Sequence, residues 1–467
     1  MTNFDQRPSD FWKGGRPSLS PRPVRRAPHF VPPPPGLALG LPKAKRAICC
    51  LFALSFAACE PQTRPAGGEL PLTLEETFGE NGESCGRALS VLHTDYSSTS
   101  ISLLRLDGEV LSAPFFSSGT QAAGLNAPLG GDVGFPSQRM SELVLLDRYP
   151  TSVLTFVDPE SAKVRGQLDV GDGFAANPHD YLPLSSNLAL VSRYDRNPNS
   201  DEPEGSDLVV IDSKKLSLKS TFSLEGILSD QERADKVVPH PSQLLALGET
   251  IAVSVTAHTK SFKDAAIGRV VLIDDILGEP ELRQVMLPEL KNCSVLVLSP
   301  SHRELSVGCN GLIDASDQAG PEFSGIVRLR VTQKDGRSEL EEIDRILASS
   351  IQKGPLGFSL EYFDETHLLA TSYGALEGDD AGRPDSLLLF ALEDGLKKPK
   401  VLLESEGTPF TLGGLACTPA CARCFLADAA RNGVHRIEPN EDAGEFELEL
   451  FRIDDGIGLP PRSLGLL

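Results

Sequence analysis

Two histidines stand at matching places in the chain, His179 in NPHDY and His240 in VPHPS, each beside proline and just ahead of an apolar run. Imidazole is the side chain whose proton moves near neutral pH. Such a pair at the mouth of a pocket, with Asp180 orienting His179, has the makings of an acid and a base or of a ligand clamp. Pro-His-Asp is also ordinary turn chemistry, with the side chains bonded to nearby backbone, and that is the simpler expectation. A second set is acidic: Asp195, Asn197, Asn199 and Asp201 alternate, followed by Glu204 and Asp207. Oxygen at every second position suits a calcium loop, but the glycine and terminal glutamate of an EF-hand are missing, so a solvated loop is favoured. Asp379, Asp380 and Asp385 make a weaker case of the same kind.

The third set is sulfur. Of nine cysteines, Cys49 and Cys50 lie in an apolar segment and Cys59 ends it, which leaves Cys85, Cys293, Cys309, Cys417, Cys421 and Cys424. Six in an exported chain suggests three disulfides. Cys293 and Cys309 flank two apolar runs around a turn at Ser299 to Glu304, so a hairpin sets them opposite each other. That bridge would contribute about 3 kcal/mol in the chain-entropy model. Cys417 and Cys424 flank TPACAR in the same way. Cys85 is then left to bridge Cys421 or Cys424, which would tie the start of the folded region to its end. The spacing of Cys417, Cys421 and Cys424 also invites zinc with His435 as fourth ligand, a weaker reading. Haem attachment is excluded, because Phe425 and not His follows Cys424.

No metal or cofactor is expected. There is no G-x-S-x-G elbow, no H-E-x-x-H and no glycine-rich phosphate loop followed by Lys. Residues 1–58 hold nine Lys or Arg against two Asp or Glu, so the remaining 409 residues carry −28 of the total −21. So acidic a chain, with no basic stripe, argues against nucleic-acid binding.

The basic segment is itself informative. From Lys43 the chain reads KAKRAICCLFALSFAAC: a cationic start, 12 apolar residues and then Cys59. That run is too short to span a bilayer as a helix and suits a signal peptide. Phe56-Ala57-Ala58-Cys59 resembles the bacterial lipobox, with Phe56 where Leu is usual. The resemblance implies that residues 43–58 are removed and that Cys59 takes lipid, several acyl chains together giving a stable membrane anchor. A soluble signal peptide cut after Ala58 is the alternative. Glu60 does not signal inner-membrane retention, so the outer membrane is expected. Residues 1–42 are basic, Pro-rich and without periodicity, and are read as disordered. They are either a long cytoplasmic tail or an overcalled start, with initiation nearer Leu41. Residues 59–84 read as a linker.

The elements that must position these groups recur about every 50 residues across 85–467. Each copy has an apolar strand, a polar turn, a second apolar strand often ending near Asp, and a third, as in SELVLLDRYPTSVLTFVDPESAKVRGQLDV from Ser141. Val, Leu and Ile runs punctuated by Asp, Gly, Asn and Pro are hairpin chemistry. Three or four short strands cannot bury both faces alone. Seven such copies predict an all-β, seven-bladed β-propeller, and six or eight blades also fit. Tyr149, Tyr194 and Tyr373 follow the first strand in three copies and are placed on one face of the disc. ELVLLDRYPTSVLTFVDPESAKVRGQLDVG and NPHDYLPLSSNLALVSRYDRN resemble the YVTN-type and NHL-like propeller repeats of uncharacterised bacterial envelope lipoproteins, over roughly residues 86–455.

That resemblance speaks to fold and not to activity. The expected function is a lipid-anchored, non-catalytic binding or scaffolding protein of the cell envelope, taking a protein or glycan on one face. The alternatives are an outer-membrane assembly factor and a propeller hydrolase such as a lactonase.

Overall fold

The computed structural model describes residues 70–467 except 201–203, 313–320, 352–353, 376–381, 408, 441–444 and 455. The chain divides into Met1–Glu60 and Pro61–Leu467, and every described residue belongs to the second unit. The segments expected to be a leader and a signal peptide, with Cys59, Asp201, Asp379 and Asp380, lie outside the described residues.

Seven four-stranded antiparallel sheets make a seven-bladed β-propeller. Numbering strands from the centre outward, blade 2 runs Val133–Gly134, Leu143–Asp147, Val153–Val157, Val164–Asp169. Blade 3 runs Pro178–Pro183, Leu188–Arg196, Gly205–Asp212, Ser217–Ser223, and blade 4 Pro241–Leu247, Thr250–Val255, Ile267–Asp274, Glu281–Lys291. Blade 5 is Cys293–Leu298, Glu304–Asn310, Ser324–Lys334, Arg337–Leu347, and blade 6 Leu356–Tyr362, His367–Ser372, Ser386–Ala391, Lys400–Glu404. Blade 7 is Leu412–Thr418, Arg423–Asp428, Gly433–Asn440, Glu445–Arg452. Blade 1 is composite: the C-terminal strand Pro461–Leu466 pairs with Leu89–Thr94, which is followed by Thr99–Leu104 and Val110–Ser117. The repeat visible in the sequence is therefore offset by one strand, and the last strand of the chain completes the first blade.

Burial explains the composition of the strands. Second and third strands are sandwiched between neighbouring blades and read as continuous apolar runs, as in Leu143–Asp147 and Val153–Val157, every residue of which is buried. Outermost strands alternate: Glu445, Glu447 and Glu449 face solvent between partly buried Phe446, Leu448 and Leu450. Charge along that edge discourages pairing with another chain. The apolar core is divided among seven clusters, one at each blade interface. Between blades 3 and 4, for example, Leu190, Leu208 and Val210 pack on Leu244, Val253 and Val271.

Three disulfides reinforce the ring. Cys293 and Cys309 are directly opposite in the first hairpin of blade 5, as are Cys417 and Cys424 in blade 7. Cys85, in the short strand Ser84–Gly86 that pairs with Thr77–Phe78, bridges to Cys421 in the first turn of blade 7. All three sulfurs of the suggested zinc set are thereby bridged, and His435 Nε2 faces Asp428 Oδ2 at 3.0 Å, so zinc has no thiolate ligands there.

Candidate functional site

Because strands alternate in direction, the turns joining second to third strands and the links from one blade to the next emerge on one face, here called upper. The innermost strands surround a central channel of about 1500 Å³ that opens there. In six of the seven blades the pairing of the innermost strand slips near its upper end, between Pro178 and Asp180, Pro241 and Leu244, Cys293 and Val295, Leu356 and Leu360, Leu412 and Leu415, and opposite Leu92 and His93. Such bulges re-aim side chains. The residues at the slips, His179, Gln243, Ser294, Ser359 and Arg462 among them, line the channel.

His179 stands at one end of an aromatic group. Its ring stacks on Tyr194 with centroids 4.0 Å apart, and Tyr194 meets His240 on to Phe262, at 4.6 and 5.0 Å. His258 closes the group 5.4 Å from Phe262 and 6.3 Å from His240. The Tyr194 hydroxyl is bonded to Thr256 of blade 4 at 2.9 Å, and burial pushes its pKa up to about 12. His179, Tyr194, His258 and Phe262 line the channel, whereas His240 is buried behind them, its Nδ1 2.8 Å from the Tyr194 carbonyl. Burial holds all three imidazoles neutral: His179 well below its ordinary range, with the charge of Arg148 adding to the effect, His240 at about 3, and His258 lowered.

Asp180 turns away from His179. Its carboxylate accepts from the Ser137 amide and hydroxyl, the Tyr181 amide and the Leu244 amide at 2.6–2.8 Å, joining the innermost strands of blades 3 and 4 to the chain of blade 2. Burial raises its pKa to about 6. It positions strands and orients no imidazole. Asp385 does similar work, accepting from the amides of Gly374, Phe410, Thr411 and Leu412 at 2.7–3.1 Å. The Asp195 carboxylate takes the Asn177 amide group, and Asn197 pairs with Asn199 and Glu204. Among the described residues no three His, Cys, Asp or Glu converge as a metal site.

Several mouth residues had no signal in the sequence. Tyr96, Phe262 and Phe410 all line the upper channel in the left-handed conformation, at φ 65°, 57° and 66°, and are 68%, 50% and 38% exposed. A bulky side chain is strained there, and strain of this kind gathers at ligand clamps. Phe410 is held there by Asp385 and packs on Tyr373 at 4.7 Å. Of the three tyrosines placed on one face, Tyr194 and Tyr373 line the channel, while Tyr149 is exposed outside it. Arg148 and Arg462 add positive charge to the mouth. Deeper, toward the other end of the first strand of blade 6, Glu361 lines the channel with its pKa raised by burial to about 8.

No family model matches the chain, and no curated protein matches its sequence. Among solved structures, the chain is similar to a protein from Lactobacillus plantarum, with TM-score 0.53 and 12% identity over 81% of this chain and 98% of that one. It is also similar to the periplasmic gluconolactonase of Pseudomonas aeruginosa, with TM-score 0.50 and 13% identity over 81% and 98%. At such identities the likeness is one of fold.

Proposed function

We propose that this chain is a lipid-anchored propeller of the cell envelope that binds a glycan at its upper channel mouth without transforming it. The observation that carries this reading is the set of exposed aromatic rings at the mouth, three of them on strained left-handed backbone. Sugars offer C–H faces that lie on aromatic rings and hydroxyls that bond to polar side chains, and the mouth supplies both in Tyr194, Phe262, Tyr96, Ser242 and Asn292. The anchor at Cys59 rests on the sequence, and it would keep the disc at the membrane surface where envelope glycans lie. A carbohydrate array probed with the purified protein tests the reading. Binding to a restricted set of glycans, lost in Tyr194→Ala and with the ligand recovered unchanged, is the expected result; an array without binding contradicts it.

A hydrolase reading has one observation in its favour. His179, held neutral, and Glu361, its pKa raised by burial to about 8, both line the channel, Glu361 the deeper of the two. Turnover of δ-lactones that Glu361→Gln abolishes would support it over simple binding.

A further inference from the structure

The channel mouth holds a cation without a matched partner. The Arg148 guanidinium lines the channel, and among the described residues its ion-pair partner is Asp132 Oδ1, 3.9 Å away, beyond hydrogen-bond reach. Its Nε is buried with no hydrogen-bond partner. An incoming ligand does not reach that nitrogen; the side chain is 32% exposed, and its terminal nitrogens, the nearer of them 3.9 Å from Asp132, are what an acceptor in the channel meets. The chain also makes room for it. Gly134, in the innermost strand of blade 2, lies beneath the guanidinium, and a Cβ there would come within 2.8 Å of its terminal nitrogen. Arg462, also at the mouth, donates from Nη1 to the Phe410 carbonyl. On the side toward blade 3, Arg148 neighbours His179, which carries the Tyr194 stack. A planar, fixed cation beside an aromatic platform, in a protein whose charge is otherwise strongly negative, fits a ligand that presents a carboxylate on a sugar ring.

We propose that the mouth takes an acidic sugar unit of the uronic-acid class, its ring against the aromatic group and its carboxylate on Arg148. This rests on the glycan-binding reading above and adds the charge of the ligand and the residue that selects it.

The test is calorimetric titration of the purified full-length protein with oligogalacturonate and with the same oligosaccharide methyl-esterified at its carboxyls. The expected result is affinity for the acid at least about tenfold above that for the ester. Arg148→Gln should remove this preference. Gly134→Ala, which displaces the guanidinium without deleting it, should reduce the preference too, and melting curves of both variants check that the ring stays folded. Equal affinity for acid and ester, or a preference that survives Arg148→Gln, overturns the assignment and leaves glycan binding standing. Binding of neither probe by a protein that binds neutral sugars on the array has the same force. Binding of neither, with an empty array, overturns both.

Discussion

The Tyr194 ring lies flat on the His179 ring, at 4.0 Å and an interplanar angle of 11°, while its hydroxyl reaches Thr256 of the next blade at 2.9 Å. One side chain therefore builds the floor of the mouth and joins blades 3 and 4. The two roles separate by mutation. Tyr194→Phe keeps the stack and should change glycan affinity by no more than about threefold, whereas Tyr194→Ala should lower it by tenfold or more, since an aromatic contact contributes about 0.5–1.5 kcal/mol beyond burial. Thermal melts should show Tyr194→Ala less stable by about 2 kcal/mol, below the roughly 3–5 kcal/mol for a fully buried aromatic because Tyr194 is half-buried. Equal loss of binding in the two variants would place the ligand on the hydroxyl instead of the ring.

The histidine cluster predicts weakness toward acid. His240 is held at about 3 by burial, below its unfolded value of 6.5. The unfolded chain takes up a proton as pH falls through 6.5 and the folded chain does not until about 3, so stability contributed by neutral His240 is complete above 6.5 and lost progressively below it. The loss should reach roughly 3 kcal/mol near pH 4.5. His240→Asn, which tolerates the left-handed φ of 51° at this position, should show a shallower fall in melting temperature between pH 7 and 4. An unchanged slope would mean that His240 is not buried neutral.

Glu361 works in the opposite direction. Its pKa is raised from 4.5 to about 8 by burial in the channel. The unfolded chain loses its proton near 4.5 and the folded chain only near 8, so stability falls as pH rises between those values. Glu361→Gln, nearly isosteric with the protonated acid, should be more stable than the parent by about 1–3 kcal/mol at pH 8 and indistinguishable from it at pH 4. A variant destabilised at both pH values would show that the carboxylate has a partner on which the ring depends.

The ring is closed twice, by the strand Pro461–Leu466 and by Cys85–Cys421, whose cysteines are 336 positions apart. Cys417–Cys424 closes only 7. Loop-closure entropy grows with the loop, so in the chain-entropy model replacing Cys85 and Cys421 by Ser should cost about 6 kcal/mol, and replacing Cys417 and Cys424 about 2.5 kcal/mol. Calorimetric melts of the two double variants rank them. The reverse order would show that the terminal strand alone holds the ring.

Much of this architecture was legible in the sequence. Seven copies of apolar runs with polar turns predicted the blades because second and third strands are buried on both faces, and the hairpin cysteines followed from register, since Cys293 opposes Cys309 and Cys417 opposes Cys424. The closing strand was not legible: PRSLGL is short, begins with Pro and contains Gly, and its partner lies at the other end of the chain. His179 was marked by its motif, but the direction of Asp180 was not, because its four donors come from three blades. Phe262, Phe410 and Arg148 sit in segments without periodicity, and their place at the mouth comes from left-handed backbone, the Asp385 anchor and the space above Gly134, none of which a linear pattern encodes.

The proposed function requires ligands to enter at the upper mouth and rest on its aromatic rings. A crystal structure of the protein with a glycan selected from the array tests this most directly. A sugar ring in van der Waals contact with Tyr194 or Phe262, within the channel mouth, is the expected result. A sugar bound instead on the outer strands of a blade, or at the opposite opening near Cys85 and Cys421, would contradict it.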